Sequence, residues 1–390
     1  MKNLLISPSK MSLSASQSAI YQKILEQVAP LSLNLMAVKV DRQPEDFLAW
    51  CHELLDVCVN RINRDLMDEI QFKPLKKVIS LLTLATSVTQ LTMVKAAPWV
   101  IYQEFINSQA QRHGLEERLR LLDFVSKLNT STLGELSVED RLAFVGKHTK
   151  DHDTALYNFD VQWFGQTKTA KGFHELLSVN PAAFDDALSK IPDEGEVTQS
   201  QFADFVGSFM MAIISTGEKP SLAVATRLLA MKRPDQFITI SSTKLDELCQ
   251  GLNIAKLKLH DFEAYWTDVI GTIRTMPWYN SEQPSEETEL TLWNNRVVLM
   301  DLLFWCDEEH AQQSNYLKMK NKPARKSSSK SDSGKITRRS KESATEIVDR
   351  VLAMEGTSDF IKAQRNSIIS QVESGKKIDE VITLLSKIFG

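Results

Sequence analysis

Apolar positions recur with a helical period along most of the chain from residue 18 onward. In PEDFLAWCHELLDVCVNRI, for example, Phe47, Cys51, Leu54 and Cys58 follow one another at spacings of three and four residues, which places them on one helix face. Pro44 and two acidic residues precede them, as is common where a helix begins. Similar segments between Pro, Gly or Ser/Thr interruptions predict helices over residues 74–94, 98–112, 115–128, 138–147, 200–215, 221–231 and 261–274, and another from Ser285. We therefore predict a mainly α fold.

The helical period is lost around residues 150–200, which predicts a short strand or loop region, and residues 237–241 alternate between apolar and polar positions, so we predict minor β structure. Beyond residue 342, a capping-box pair, Ser343 and Glu346, begins the first of three short predicted helices. Apolar spacing predicts the second over residues 360–375, ending at Gly375, and the third over residues 378–388. So small a unit is near the lower size limit for independent folding. The predicted organisation is a disordered leader (1–16), a helical N-terminal domain (17–150), a Trp-rich helical central domain with minor β (151–317), a disordered basic linker (318–342) and a C-terminal helical unit (343–390).

Composition indicates an ordinary soluble chain. The most apolar long window, residues 78–94, contains four Thr, two Ser and a Gln, so we predict a buried helix there and no membrane segment. The first residues have no apolar run long enough for a signal peptide, and the four cysteines form no CxxC pair. We expect a cytoplasmic location.

Charge is unevenly distributed. The basic segment, residues 318–341, contains ten basic residues and one Asp, a net charge of +9, whereas the whole chain carries −4 and the remainder therefore −13. Such a segment cannot bury enough apolar surface to offset its ordering entropy, and its charge is then available to phosphates, although many charge runs are only solvated linkers. The predicted nucleic-acid-binding residues are Lys318, Lys320, Lys322, Arg325, Lys326, Lys330, Lys335, Arg338, Arg339 and Lys341.

Candidate catalytic residues are few. Pro192-Asp193 and Pro234-Asp235 each supply one part of a restriction-type nuclease site, but neither is followed by the acidic-x-Lys triplet that would complete it. His148 and His152 have metal-ligand spacing on a helix, yet the run is polar and a solvated helix end is the preferred interpretation. No phosphate-cradling glycine-rich loop is present. We expect no metal and no cofactor.

One group of aromatic and basic residues is typical of a surface on which bases stack while cations neutralise phosphates. The alternative is that its tryptophans belong to the core. The group comprises Lys232, Arg233, Trp266, Trp278, Tyr279 and Arg296.

The stretch SLAVATRLLAMKRPDQFITISSTKLDELCQGLNI, continued by DFEAYWTDVIGTIRTMPWYNS and LWNNRVVLMDLLFW, resembles a segment of uncharacterised bacterial proteins associated with restriction and phage-defence systems. It covers about residues 200–306. Its Pro-Asp-x-Phe turn is also similar to one in helix-hairpin-helix DNA glycosylases, but the glycine-rich hairpin and catalytic Asp or Lys of that family have no counterpart here. The resemblance implies a bacterial helical DNA-associated protein and assigns no catalytic residue.

The sequence thus favours a non-enzymatic nucleic-acid-binding protein that contacts nucleic acid through the basic segment. One alternative is an adaptor or regulatory subunit that docks on a protein partner, or on a second copy, through the C-terminal helices. The other is a metal-dependent nuclease using Asp193 or Asp235.

Overall fold

The structure, a computed structural model, describes residues 4–41, 43–304, 308–322, 344–353, 359–373, 378 and 381–382. Contacts divide the chain into two units, Met1–Pro323 and Ala324–Gly390. The described residues are mainly helical, which confirms the predicted fold class.

The first layer of the larger unit is built on one long helix. Two helices, α1 (Ala15–Val28) and α3 (Phe47–Asp56), pack against α4 (Glu69–Lys95), and α2 (Ser32–Met36) lies between α1 and α3 in the chain. A capping box formed by Ser14 and Gln17 fixes the start of α1. Short helical turns complete this layer at Ala29–Leu31, Val57–Arg61 and Arg64–Leu66.

Residues 4–14 belong to this packing, and the predicted disordered leader is wrong for them. Leu4 is 3% exposed, and its carbonyl accepts a 2.8 Å hydrogen bond from Nε1 of the buried Trp50. The Lys10 amide donates to the Glu45 carbonyl at 2.8 Å. A buried indole N–H needs an acceptor, and the leader supplies it.

Helix α4 joins two hydrophobic cores. Its earlier side chains, from Leu75 to Val88, lie in the core shared with α1 and α3, whereas Leu91 and Val94 lie in the core of the remaining helices. The two cores therefore meet within α4, and the structure shows no division of the larger unit at the predicted boundary near residue 150. Among the described residues, α4 is also long and apolar enough to cross a membrane, but 56% of its apolar window is buried in the protein.

The second layer contains the other helices of the larger unit. Gly114, with φ of 65°, makes the left-handed turn between α6 (Ala110–His113) and α7 (Leu115–Leu128), where a side chain would be strained. A π-helical turn, Tyr265–Ile270, links α14 (Phe262–Ala264) to α15 (Gly271–Arg274). Residues Val298–Leu303 form a 3₁₀ turn. The helices are α5 (Trp99–Ser108), α6 (Ala110–His113), α7 (Leu115–Leu128), α8 (Val138–Phe144), α9 (Lys171–Val179), α10 (Ala182–Ser189), α11 (Gln199–Ile214), α12 (Leu222–Lys232), α13 (Leu245–Leu252), α14 (Phe262–Ala264), α15 (Gly271–Arg274), α16 (Glu287–Asn294), α17 (Glu308–Gln312) and α18 (Asn315–Lys320).

The predicted minor β structure is wrong for the described residues, where an isolated bridge between Lys10 and Asp46 is the only β pairing. Helices α9 and α10 lie within the region predicted to lack a helical period, so that prediction is wrong for them. Earlier in this region, Val161, Trp163 and Phe164 are all buried, and one arginine binds several of the main-chain carbonyls around them. The buried Arg227 of α12 donates to the carbonyls of Val161, Trp163 and Gly165, and to those of Ala143 and Phe144 in α8.

The smaller unit contains α19 (Ala344–Leu352), α20 (Asp359–Ala363) and α21 (Arg365–Glu373). The second predicted helix of this unit is therefore two helices, and most of the third lies outside the described residues. Arg365 pairs with Asp349 through Nε and Nη2 at 2.5 and 2.7 Å. The buried core found among the described residues of this unit is Val348, Leu352, Ile361, Ile368 and Val381.

Candidate functional site

A cleft of about 1100 Å³ opens between the end of α7, the loop at residues 193–196, the segment after α12 and the region around α16. Residues from two separate sequence-based hypotheses line this cleft together. Both aspartates of the nuclease hypothesis line it, and so do four members of the proposed stacking group: Lys232, Arg233, Tyr279 and Arg296.

Arg233 organises one wall of this cleft. Its Nε and Nη2 donate to the two carboxylate oxygens of Asp235, both at 2.8 Å, because Pro234 ends α12 and places Asp235 two residues further on. The same guanidinium donates to the carbonyls of Pro192 at 2.7 Å and Gly195 at 2.6 Å. Arg233 therefore ties the 192–195 loop to the end of α12, and its four hydrogen bonds to the protein engage all three guanidinium nitrogens.

The nuclease hypothesis gains no metal site from this geometry. Asp235 is held by Arg233 and by Gln236 Nε2 at 3.0 Å, and Asp193 pairs with Lys232. Within the described ranges, no group of three or more His, Cys, Asp or Glu side chains is arranged to hold a metal ion. Two carboxylates that are already neutralised by basic partners are poor ligands for Mg²⁺.

Arg296 lies differently in the same cleft. Its guanidinium carbon is 4.2 Å from the ring centroid of Trp293 and 5.0 Å from that of Tyr279, so aromatic rings contact it closely. Nη1 donates to the Trp293 carbonyl at 2.9 Å, whereas the buried Nε has no partner among the described residues. Burial lowers the pKa of Arg296, and the negative charge of Asp235 only partly opposes this.

Two members of the stacking group are core residues. Trp278 is 0% exposed and stacks on Tyr102 with ring centroids 4.2 Å apart. Trp266 stacks on Phe202 at 4.8 Å and does not line the cleft. The core interpretation is confirmed for both. The aromatic residue that the sequence analysis left out is Trp293, although its position three residues before Arg296 is a helical spacing that could have indicated it.

The first residues of the basic segment are part of the larger unit. Lys318 and Lys320 lie exposed in the last turn of α18, and Lys322 is exposed just beyond it, so the predicted linker is wrong for residues 318–320. The other seven predicted binding residues lie outside the described part of the chain: Arg325, Lys326, Lys330, Lys335, Arg338, Arg339 and Lys341.

The start of α18 is anchored to a buried carboxylate. The Asn315 amide donates to Asp160 at 2.6 Å, and His310 Nε2 lies 3.0 Å from the same oxygen. Burial alone would raise the pKa of Asp160, but hydrogen bonds from His310, Asn315 and Gln162 lower it to about 2. Asp160 is therefore ionised at neutral pH. The next side chain along the helix, Tyr316, has two cations near its ring: Arg120 Cζ lies 5.8 Å and Lys320 Nζ 5.6 Å from its ring centroid.

The two spaced histidines lie in a loop, because α8 ends at Phe144. His152 is 2% exposed, its Nδ1 accepts from the Thr149 amide at 3.0 Å, and its Nε2 is 3.0 Å from the Glu139 carbonyl. Both ring nitrogens are thus engaged by the backbone. The predicted solvated helix end is wrong, and His152 has a structural role in this loop.

Comparison with known proteins assigns neither a family nor a function: no family model, no curated protein and no solved structure matches the chain.

Proposed function

We propose that this protein binds nucleic acid through the basic segment, residues 318–341, and that it acts without catalysing a reaction. The observation that carries the proposal is the concentration of charge, +9 within a chain of −4. Phosphates release counterions when Lys and Arg neutralise them, so a segment of this charge gains affinity for any nucleic acid. The resemblance of residues 200–306 to uncharacterised bacterial proteins associated with restriction and phage-defence systems supports a bacterial setting and DNA as the nucleic acid.

The described beginning of the segment has a suitable arrangement for this role. Lys318 and Lys320 project from a helix whose first turn is anchored through Asp160, so their backbone positions are defined before binding. Tyr316, half-buried beside Lys320 and Arg120, adds an aromatic ring among cations. Stacking on an aromatic ring together with phosphate contacts is typical of single-strand binding.

The test compares two triple variants with the same change in charge. Lys318→Ala, Lys320→Ala and Lys322→Ala should weaken binding of labelled single- and double-stranded DNA and RNA, and should lower the slope of log K against log salt by about 0.7 to 0.9 for each lost phosphate contact. The control replaces three exposed lysines of α4, Lys73, Lys76 and Lys77. Equal affinities and slopes for the two variants and the wild type would refute this role for α18.

The whole segment is tested in the same assay. Replacing all ten basic residues by Ala should abolish salt-dependent binding, because it removes the positive charge that phosphates recognise. Retention of wild-type affinity by this variant would refute the proposed function.

A second candidate function, an adaptor that docks through its C-terminal helices, is favoured by the small size of the helical unit predicted over residues 343–390. Units of about 50 residues are commonly stabilised by association. Light scattering on the full chain and on a chain ending at residue 341 tests self-association. A larger assembly for the full chain alone supports the adaptor, and equal monomeric masses remove self-association as its mode of action.

A further inference from the structure

Arg296 is a buried cation whose usual partner is missing. The side chain is 9% exposed, yet it forms no ion pair within the described part of the chain. Asp235 is the carboxylate that raises the pKa of Arg296 most, and both of its oxygens are already bound by Arg233. A buried charge lowers the stability of the fold unless it is paired and hydrogen-bonded. An arginine in this position therefore favours the binding of an external anion.

The free edge of the guanidinium determines how such an anion would approach. Nη1 is bound to the Trp293 carbonyl, and the rings of Trp293 and Tyr279 contact the guanidinium. Nε and Nη2 make no hydrogen bond to any described residue. These two N–H groups lie side by side on one edge of the guanidinium plane, which matches two oxygens of one anionic group.

The charge around the cleft selects among anions. Four carboxylates line it, those of Asp193, Glu194, Glu196 and Asp235, against three cations including Arg296. Lys232 and Arg233 are paired with two of these carboxylates, and Glu196 pairs with Arg274 at 3.1 Å. The charges of the lining that have no ion pair among the described residues are then Glu194 and Arg296, which balance each other. A ligand with one negative charge therefore leaves a single excess negative charge in the cleft, whereas a phosphate dianion or a polyanion leaves more and is repelled.

The remaining lining accommodates an apolar body. Leu122, Val125 and Met231 line the same cleft, and its volume of about 1100 Å³ is at the upper end of what small-molecule pockets offer. We propose that this cleft binds a small carboxylic acid, whose carboxylate takes both Nε–H and Nη2–H of Arg296 while its apolar part lies against these side chains. No residue that lines this cleft belongs to the basic segment, and the site does not depend on the proposed nucleic-acid binding.

The test observes the Arg296 Nε–H directly by NMR of the ¹⁵N-labelled full chain, with the signal assigned by its loss in Arg296→Lys. The probes are acetate, benzoate and indole-3-acetate, with benzamide as the neutral match for benzoate and inorganic phosphate as the dianion. Benzoate should shift the signal downfield and saturate, benzamide should leave it unmoved, and phosphate should bind more weakly. The Nε–H of Arg274 is an internal control, because it is also buried and unpartnered but its guanidinium pairs with Glu196.

A second variant tests the electrostatic argument without disturbing the core. Glu194→Gln removes an exposed carboxylate from the cleft and should tighten benzoate binding about twofold at low salt, because a repulsive charge is lost. A signal unmoved by all three carboxylates, or phosphate binding as tight as benzoate, overturns the proposal. Unchanged affinity in Glu194→Gln overturns the assignment of the Glu194 carboxylate as the charge that selects among anions.

Discussion

The close packing of α13 against α4 is tested by two glycine substitutions in helices. A Cβ at Gly251 of α13 would lie 2.5 Å from Leu91 Cβ and 2.6 Å from Leu91 Cδ1, whereas a Cβ at Gly207 of α11 would have nothing within 4 Å. Both changes to Ala gain helix propensity of up to about 1 kcal/mol. Only Gly251→Ala overpacks the core, at a cost of about 1–3 kcal/mol. We therefore expect the unfolding free energy of Gly251→Ala to lie about 1–3 kcal/mol below that of Gly207→Ala.

Urea unfolding followed by tryptophan fluorescence measures this difference in the larger unit alone, because all seven tryptophans precede residue 306. Adding Leu91→Ala completes the test. That change should be less costly in the Gly251→Ala background by part of the overpacking energy, since it removes Cγ and Cδ1 of Leu91 but leaves the Cβ of residue 91 in place. Additive effects, or a Gly251→Ala variant as stable as Gly207→Ala, would refute the close approach of the two helices.

Three further predictions concern buried ionisable groups. Burial, reinforced by Lys147, lowers the pKa of His174 from 6.5 to about 4, so the neutral ring stabilises the fold above pH 6.5 and this is lost as pH falls towards 4. His174→Gln should remove about 2–3 kcal/mol of the stability difference between pH 7 and pH 4.5 in urea unfolding. Asp160→Asn should lower the unfolding free energy by about 2 kcal/mol at pH 7, because the pKa of Asp160 is lowered from 3.8 to about 2 in the folded protein. This loss should shrink as pH falls from about 4 towards 2. An equal difference between variant and wild type at all pH values would contradict this. Burial raises the pKa of both Cys51 and Cys58, that of Cys58 to about 12, so neither should react with a thiol reagent at pH 8 until denaturant is added, as peptide mapping by mass spectrometry would show.

The helices were the predictable part of this fold, because their signals are local. Residues 115–128 were predicted as a helix and coincide with α7, since a glycine precedes this segment and its apolar spacing continues to the end. Pro234 ended α12 as expected. Helix α4 began five residues before the predicted start at Pro74, because a proline is tolerated near the beginning of a helix and the Asp68–Gln71 capping box lies upstream of it.

The errors concern features that depend on distant residues. The position of Leu4 depends on Trp50, 46 residues away, because the indole N–H of Trp50 donates to the Leu4 carbonyl. No local sequence pattern indicates this contact. The cleft likewise requires α7, the 193–196 loop, the end of α12 and α16 to meet, so the sequence predicted Arg233 and Arg296 as equivalent cations. Only the contacts distinguish them: every guanidinium nitrogen of Arg233 donates a hydrogen bond to the protein, whereas Nε of Arg296 has no partner among the described residues.

Arg227 has a consequence for how this protein tolerates sequence change. One guanidinium serves five main-chain oxygens and so performs, for the segment around Trp163, the task that a neighbouring strand performs in a sheet. Lysine carries the same charge but has three donors on a single nitrogen, which cannot span these acceptors. The conformation of that segment therefore depends on a residue some sixty positions downstream. Even the conservative exchange of this arginine for lysine would leave buried carbonyls without hydrogen-bond donors.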